Sequence, residues 1–300
     1  MDDLKRMAVF AAVVRQGSMT AAGRALGMSA SAVSQQVRQL ERDGGVTLLH
    51  RSTRKLRLTE SGERYSQHCA AMVAAADGAR AELSATREAP QGELRLSAPV
   101  GFARHVAPAL GPLLAGHPAL KLRLLVDDAR IDLIEARIDL AVRFGKLPDS
   151  NWAARRLCGI GWLICATPEA LAAQPAPVRP QDLQALQWLH LGGDHSAVVL
   201  DLTGPAGQRE LIHVAPRISS NNQLSIQQMC RAGLGLALLG SVDVHEELQA
   251  GRLVPVLPQW RLAPLDVWAV TPQRDAQPAK VRRAIDALQA YLRALPGVVP

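Results

Sequence analysis

The spacing of apolar residues near the start of the chain predicts short helices. Apolar side chains recur at helical intervals from Leu4 to Val14, and an alanine-rich amphipathic segment follows at 19–27. Ser18 and Ser29 precede the second and third predicted helices, and serine is a favoured N-cap residue because its hydroxyl accepts from a free backbone N–H. The pattern therefore predicts two capped helices separated by a short turn.

The third predicted helix, residues 30–42, has one apolar side and one polar side. Four apolar residues fall within roughly 80° of each other around the helix axis, namely Ala30, Val33, Val37 and Leu40. The other side is short, polar and basic and carries no carboxylate; its residues are Ser31, Gln35, Arg38 and Arg42, with Ser34 between the two sides. This division predicts a packed face and a face that can meet a polyanion.

Two short strands, Val46–Leu49 and Leu56–Leu58, are predicted next, with a basic turn between them. A heptad stripe then runs from position 59 to about position 87, through Tyr65, Cys69, Met72, Ala76, Ala79 and Leu83. Such a stripe is typical of a coiled coil, and it favours pairing of two chains. The alternative is that the stripe packs on its own domain.

The rest of the chain alternates strand-like and helix-like segments after a helix break at 88–92. Strand-like ELRLSAP precedes a helix, KLRLLV precedes a helix-like IDLIEAR, and DLAVRF follows. The alternation continues to a final helix near residues 279–295. This order predicts an α/β domain with a largely parallel sheet.

Charge sharpens the interpretation of the first segment. The chain has 300 residues and a net charge of +7, and residues 1–65 alone carry +5. A concentrated basic excess is expected where a domain meets phosphate. We therefore expect the third helix to contact bases and the basic turn to contact the DNA backbone or the minor groove. The residues expected on the helix are Ser29, Ser31, Ser34, Gln35 and Arg38, and those expected on the turn are Arg51, Thr53, Arg54 and Lys55. A small helical bundle with a solvated polar face is the alternative.

The stretch from Gly17 to Gly62 resembles the LysR-type transcriptional regulators. The matching residues form an ordered set, namely Ser18, Ala21, Ala22, Leu26, Ser29, Val33, Ser34, Leu40, Glu41, Gly45, Leu48, Arg51, Leu58, Thr59 and Gly62. The resemblance extends through GELRLSAPVG, DLAVRFG and NNQLSIQQMCRAGLGLALL, and so covers nearly the whole chain. Gly44 and Leu49 depart from the usual Leu and Phe, which predicts looser packing behind the wing.

The resemblance implies a winged helix-turn-helix domain at 1–58 and a dimerisation helix at 59–88. It also implies a regulatory part like periplasmic binding proteins, with subdomain I at 92–160 and 265–300 and subdomain II at 161–264. A small-molecule effector would lie between the subdomains. As partners, the family implies double-stranded promoter DNA, a second copy of the chain, assembly into a dimer of dimers, and RNA polymerase.

Ligand clefts in such sheets lie beyond the carboxyl ends of strands. The effector contacts expected on this basis are Ser97, Val100, Gly101, Phe102, Asp128, Arg143, Phe144, Thr167, His190 and Asn221. Arg143 could bind an effector carboxylate in bidentate fashion, or could pair with Asp127, Asp128 or Asp139. Ser97 could contact the effector or cap the following turn. Arg143 and the net charge of +3 on residues 92–300 slightly favour a small organic anion.

Other candidates are weaker. His190, Asp194 and His195 include metal-ligand types without a recognised spacing, and no metal or cofactor is expected. Cys158 and Cys165 could form a redox switch, but buried reduced thiols are commoner. The sequence contains no recognised catalytic motif, so we do not expect an enzyme. It also shows no export signal and no long apolar run, so we expect a cytoplasmic regulator without a membrane partner. A constitutive DNA-binding protein, and an enzyme or solute-binding protein, are the alternatives.

Overall fold

A computed structural model describes residues 2–51, 56–129, 132–147, 152–173, 175–272 and 277–299. The chain divides into two compact units, Met1–Ala85 and Thr86–Pro300. Within the described ranges, no helix is both long enough and apolar enough to cross a membrane.

The first unit contains three helices, a hairpin and most of a long helix. The helices are α1 (Asp2–Gln16), α2 (Met19–Leu26) and α3 (Ala30–Gly44); the hairpin strands are β1 (Leu49–Arg51) and β2 (Leu56–Leu58), and α4 is Glu60–Glu88. Both predicted caps are confirmed, because Ser18 Oγ accepts from Ala21 N at 3.0 Å and Ser29 Oγ accepts from Ala32 N at 3.1 Å. Each cap satisfies one of the free N–H groups at a helix start.

The apolar side of α3 packs into the core of this unit. Val33, Val37 and Leu40 are buried with Phe10 and Val13 of α1, whereas Ala30, at the first position of α3, stays exposed. The hairpin is fastened to α3 by the Glu41 carboxylate. Its Oε1 accepts from Leu48 N at 2.9 Å and from Leu49 N at 3.1 Å. A side chain of α3 therefore holds the start of the hairpin by its backbone N–H groups.

The predicted heptad stripe on α4 has two parts. Tyr65 and Cys69 belong to the core of the first unit, where the Tyr65 ring lies 5.8 Å from the ring of Phe10. Farther along, Ala76, Ala79 and Leu83 are exposed, and Leu83 exposes 74% of its surface. The single-chain alternative thus applies to the beginning of the stripe, and its second half has an uncovered apolar face.

The second unit contains two lobes. The strands of lobe I are β3 (Gly92–Ala98), β4 (Leu120–Val126), β5 (Leu140–Phe144), β6 (Ala153–Ile160), β14 (Leu265–Thr271) and β15 (Val298–Val299). They form one six-stranded sheet in the order β15-β6-β14-β5-β3-β4. The helices of this lobe are α5 (Ala103–Gly116) and α9 (Ala279–Arg293). Strands β4, β3 and β5 run parallel, and β14 is antiparallel to both of its neighbours. The sheet is therefore mixed where the chain returns to it.

The strands of lobe II are β7 (Trp162–Ala166), β8 (Trp188–Leu191), β9 (Val198–Thr203), β10 (Arg209–Val214), β11 (Pro216–Ser220), β12 (Leu236–Gly240) and β13 (Val254–Pro255). Five of them form a sheet in the order β11-β8-β12-β7-β13, and β9 and β10 form a separate hairpin. The helices of this lobe are α6 (Pro168–Ala172), α7 (Gln223–Arg231) and α8 (His245–Gln249). The chain enters lobe II between Ile160 and Trp162 and leaves it before Leu265. The chain therefore passes between the lobes twice, and residues near strand ends of both sheets line one cleft.

The expectation of a helix in IDLIEAR is wrong for the described residues 132–137. They form turns, in which Ile138 N donates to Leu133 O at 2.7 Å. The Asp132 carboxylate accepts from the backbone N–H groups of Ile134 and Glu135, and Arg137 has a φ of 51°. Asp132 thus caps a single turn, in which Ala136 N donates to Asp132 O at 3.1 Å, and the left-handed Arg137 ends it.

Candidate functional site

The polar side of α3 is exposed. Ser31, Gln35 and Arg38 are exposed, Ser34 is half-buried, and the buried residues of the same helix lie on the opposite side. Ser29 Oγ caps the helix and lies 2.9 Å from Ser31 Oγ. A helix with this arrangement can lay short donors and acceptors and one guanidinium against base edges in a major groove.

The acidic residue nearest the end of α3 is engaged by neighbours. Asp43 accepts from Arg6 Nη1 and from Gln39 Nε2, both at 2.6 Å. This pairing partly compensates a negative charge that would otherwise oppose an approaching phosphate backbone.

The predicted wing contacts lie largely outside what can be described. Thr53, Arg54 and Lys55 are outside the described residues, as is the side chain of Arg51. On the described strands, His50 and Arg57 pair across the hairpin and are both exposed. Alternation along the strands, with Leu49 buried and His50 outside, is the signal that could have added these two residues to the site.

A cavity of about 260 Å³ lies between lobes I and II. Lobe I contributes residues from the start of α5, the loop after β4 and the end of β5, and lobe II contributes the starts of β7 and α7 and the end of β12. Its described lining consists of Pro99, Gly101, Phe102, His105, Asp128, Phe144, Ile160, Trp162, Leu191, Asn221, Gln223, Gly240, Val242, Asp243 and Leu265. A mostly apolar concavity with a few polar groups is typical of a small-molecule site.

Five of the ten residues predicted as effector contacts line this cavity, namely Gly101, Phe102, Asp128, Phe144 and Asn221. The other five lie elsewhere. Val100 N donates to Asp128 Oδ1 at 2.9 Å, and Thr167 Oγ1 caps α6 by accepting from Ala170 N at 3.2 Å. His190 lines a second cavity inside lobe II.

Arg143 and Ser97 lie together on the opposite side of the lobe I sheet from Phe144. Successive side chains of β5 point to opposite faces, so Phe144 reaches the cavity and Arg143 does not. Arg143 Nη1 lies 3.4 Å from Ser97 Oγ and donates to Val142 O at 3.1 Å. Asp139, one of the predicted partners of Arg143, pairs with Lys280 Nζ at 2.8 Å.

Several polar contacts join the two lobes, and two pairs of side chains face each other beside the cavity. Asp128 of lobe I accepts from Asn222 Nδ2 of lobe II at 2.9 Å. His105 of lobe I is buried, and its Nε2 lies 3.5 Å from Asp243 Oδ1 of lobe II. The Asp128–Asn222 hydrogen bond holds the lobes together, whereas the buried His105 Nε2 makes no hydrogen bond to a described residue, and a ligand in the cavity would adjoin both pairs.

Ten of the fifteen lining residues were missed from the sequence, and four of these ten carry a polar side-chain group: His105, Trp162, Gln223 and Asp243. Two of them follow the rule that ligand clefts lie beyond strand ends, because Asp243 comes shortly after β12 and Gln223 opens the helix after β11. His105 lies one helical turn after Phe102. Trp162 begins β7, where the chain passes from lobe I to lobe II. No local sequence pattern marks this tryptophan as a ligand contact.

All four cysteines are buried and free. Cys158 belongs to the core of lobe I and Cys165 to a core of lobe II, where Cys230 Sγ donates to Cys165 O at 3.4 Å. Burial raises the pKa of Cys158 to about 11 and that of Cys165 to about 12. Because thiolates are the reactive form, these environments favour inert thiols over a switch that joins Cys158 and Cys165.

No group of three or more His, Cys, Asp or Glu side chains in the described ranges could hold a metal ion. Asp194, near the two loop histidines, instead accepts from Ser196 N at 3.1 Å within its own turn.

A winged helix-turn-helix unit joined in one chain to a two-lobed α/β unit with a cleft defines an effector-binding transcription regulator. Family comparison agrees with both parts. Residues 4–63 match the bacterial regulatory helix-turn-helix proteins of the lysR family, and residues 87–293 match the LysR substrate binding domain. The chain belongs to the LysR family of transcriptional regulators.

Relatives and solved structures resemble nearly the whole chain. The transcriptional regulator DmlR of Escherichia coli is 37% identical over 290 residues, which cover 96% of this chain and 94% of that protein. PtxR of Pseudomonas aeruginosa is 34% identical over 294 residues, which cover 97% of this chain and 93% of that protein. The full-length structure of the Vibrio cholerae virulence activator AphB has a TM-score of 0.73 at 27% identity, covering 96% of this chain and 99% of that one.

Proposed function

We propose that the chain binds a dyad promoter site as a dimer or a dimer of dimers, and that a small molecule between lobes I and II controls the binding. In this proposal α3 enters the major groove and the wing contacts the DNA backbone. Two chains pair through the second half of the α4 stripe. A changed angle between the lobes would alter the spacing of the two DNA-binding heads.

The observation that carries the DNA proposal is the exposed side of α3. Ser31, Gln35 and Arg38 project from a helix whose other side is fixed by Val33, Val37 and Leu40 in a core. The rigid core fixes the direction of the polar side chains, which is what discrimination between bases requires.

The DNA proposal is tested with Arg38→Ala, on a fragment that contains the promoter beside the protein's own gene. If Arg38 reads a base, specific affinity falls by about 1–3 kcal/mol and affinity for unrelated DNA stays unchanged. A phosphate contact would weaken both equally. Equal affinity of Arg38→Ala and the wild type for the fragment removes Arg38 from the site, and no binding of the wild type at low salt overturns the proposal.

The effector proposal depends on the cavity between the lobes. Phe102, Phe144 and Trp162 provide an apolar wall, and the described charged groups at the cavity are the carboxylates of Asp128 and Asp243 beside His105. Two carboxylates favour a neutral or cationic ligand over the organic anion predicted from the sequence. The position of Arg143 on the other face of the sheet supports the same preference.

Thermal shift measurements with matched aromatic acids, alcohols and amines test this proposal. A ligand that binds only the folded state raises the melting temperature with its concentration. We expect a rise with the alcohols or amines that is lost in Phe144→Ala. A rise with the acids alone would restore the anionic effector, and no rise with any ligand would favour a constitutive DNA-binding protein.

A further inference from the structure

Lobe II contains a second cavity, of about 210 Å³, between its five-stranded sheet and the β9–β10 hairpin. Trp188 and Leu238 line it from the sheet, and Val198, Leu200 and Val214 line it from the hairpin. His190, predicted from the sequence as an effector contact, also lies on this wall. The space is therefore apolar except for one imidazole.

The second cavity is partly open to solvent, so its apolar walls stay in contact with water unless a ligand covers them. The polar group of the largest wall residue is already satisfied, because Trp188 Nε1 donates to Leu183 O at 2.8 Å. Water would find few partners there, whereas an alkyl or aryl group would fit.

The second cavity adjoins the cavity between the lobes. Trp162 and Leu191 line both, so these two side chains form the boundary. Leu191 exposes 41% of its surface although it lies between two apolar spaces. A ligand that extends from one cavity into the other would cover this apolar surface and remove it from water.

We propose that the effector is an elongated molecule with a compact head between the lobes and an apolar arm, an alkyl chain or a second ring, in the cavity under the β9–β10 hairpin. The proposal rests on the proposed function, because it places the head in the effector cavity. Trp162 and Leu191 contact the ligand where head and arm join. The size of the second cavity then determines which arm lengths the regulator accepts.

The probes for the test are phenol and its para-ethyl, para-butyl and para-hexyl derivatives, whose affinities for the full chain are measured by calorimetry. A ring between the lobes places the alkyl group toward Trp162. Affinity is expected to rise about fourfold for each methylene that is buried, until the second cavity is full, and then to level off. Affinity that does not depend on chain length overturns the proposal.

Two variants on one strand separate the second cavity from general hydrophobic binding. Val198→Phe fills the cavity from the hairpin and should remove the dependence on chain length while phenol binds as before. Val199→Phe is the matched control, because Val199 is the next residue of β9 and is 51% exposed. It should bind the series as the wild type does. Equal chain-length dependence in both variants and the wild type overturns the proposal.

The indole N–H resonances locate the arm directly. The chain has five tryptophans, so the spectrum of the labelled protein is simple, and Trp188 is assigned with Trp188→Phe. The Trp188 signal should shift with the hexyl derivative and not with phenol. Binding of the hexyl derivative without a shift of Trp188, or no binding of any member to a chain that binds its operator, overturns the proposal. Failure to bind the operator instead overturns the proposed function.

Discussion

Gly62 lies where the first turn of α4 passes the backbone of Leu48. Thr59 caps this helix, since its Oγ1 accepts from Gly62 N at 2.9 Å, and Thr59 N donates to Leu48 O at 3.0 Å. A β-carbon at position 62 would overlap Leu48 O. The carbonyl cannot withdraw without losing the bond to Thr59, so this position requires glycine for a reason of space.

We predict that Gly62→Ala destabilises the first unit by about 1–3 kcal/mol, because the cost of overpacking exceeds the helical preference for alanine. Hydrogen exchange of the amides in α3 and β1 of the full chain measures the effect. Gly44→Ala is the matched control. Gly44 is the last residue of α3, a β-carbon there meets nothing within 4 Å, and the change should leave the stability within about 0.5 kcal/mol of the wild type. Unchanged exchange in Gly62→Ala would contradict the overlap.

At the scale of elements, Glu247 connects three parts of lobe II. Its Oε2 accepts from Arg252 Nε at 2.6 Å, and its Oε1 lies 3.2 Å from Arg231 Nη1 at the end of α7. The carboxylate on α8 is nearly buried, with 9% of its side chain exposed. Removal of its charge would leave both arginines without this partner.

We predict that Glu247→Gln lowers the free energy of unfolding of lobe II by about 1–3 kcal/mol at neutral pH. The hydrogen bond from Arg252 holds the pKa of Glu247 below its ordinary value of 4.5. The stabilisation is therefore present above pH 4.5 and is lost as the pH falls through the lower pKa of the folded state. Urea unfolding followed by tryptophan fluorescence should give variant and wild type converging stabilities in acid.

Glu246→Gln is the control for this prediction, because Glu246 is the exposed neighbour on the same helix. It should unfold within about 0.5 kcal/mol of the wild type. A loss as large as that of Glu247→Gln would show that net charge, rather than the contacts with the two arginines, determines the effect.

At the scale of the whole molecule, the second half of the α4 stripe is the surface on which the dimer proposal depends. Ala76, Ala79 and Leu83 lie on one side of the helix and are exposed. Small residues in a heptad stripe allow two helices to approach closely. The first half of the stripe already packs on its own unit, so the second half is the part available to a partner.

We predict that Ala76→Asp raises the dissociation constant of the dimer about tenfold or more, because a carboxylate would be buried without a partner. Sedimentation velocity of the full chain measures the change. Ala81→Asp introduces the same charge on the opposite side of α4 and should leave the dimer unchanged. Equal effects of the two substitutions, or none from Ala76→Asp, would contradict pairing through this stripe.

Much of the fold could be predicted from the sequence because it depends on local pattern. The caps at Ser18 and Ser29 and the buried side of α3 follow from residue type and helical spacing. The turns at 132–137 could not be predicted from apolar content, since the left-handed conformation of Arg137 stops the chain after a single turn and apolar spacing does not show it. For the candidate site, the sequence pattern predicted where strands end, but it did not predict which side chains at those ends point into the cavity.

The sequence by itself determined the capped helices of the first unit and several strand ends of the second, because periodicity and capping act between neighbours along the chain. The tertiary structure decided which of those residues meet. Phe144 faces the cavity and Arg143 faces Ser97 because adjacent residues of a strand point to opposite sides, and the packing of the lobes decides which side is the cleft. Likewise, only the hairpin packed over β8 places His190 in a second cavity, beyond Trp162.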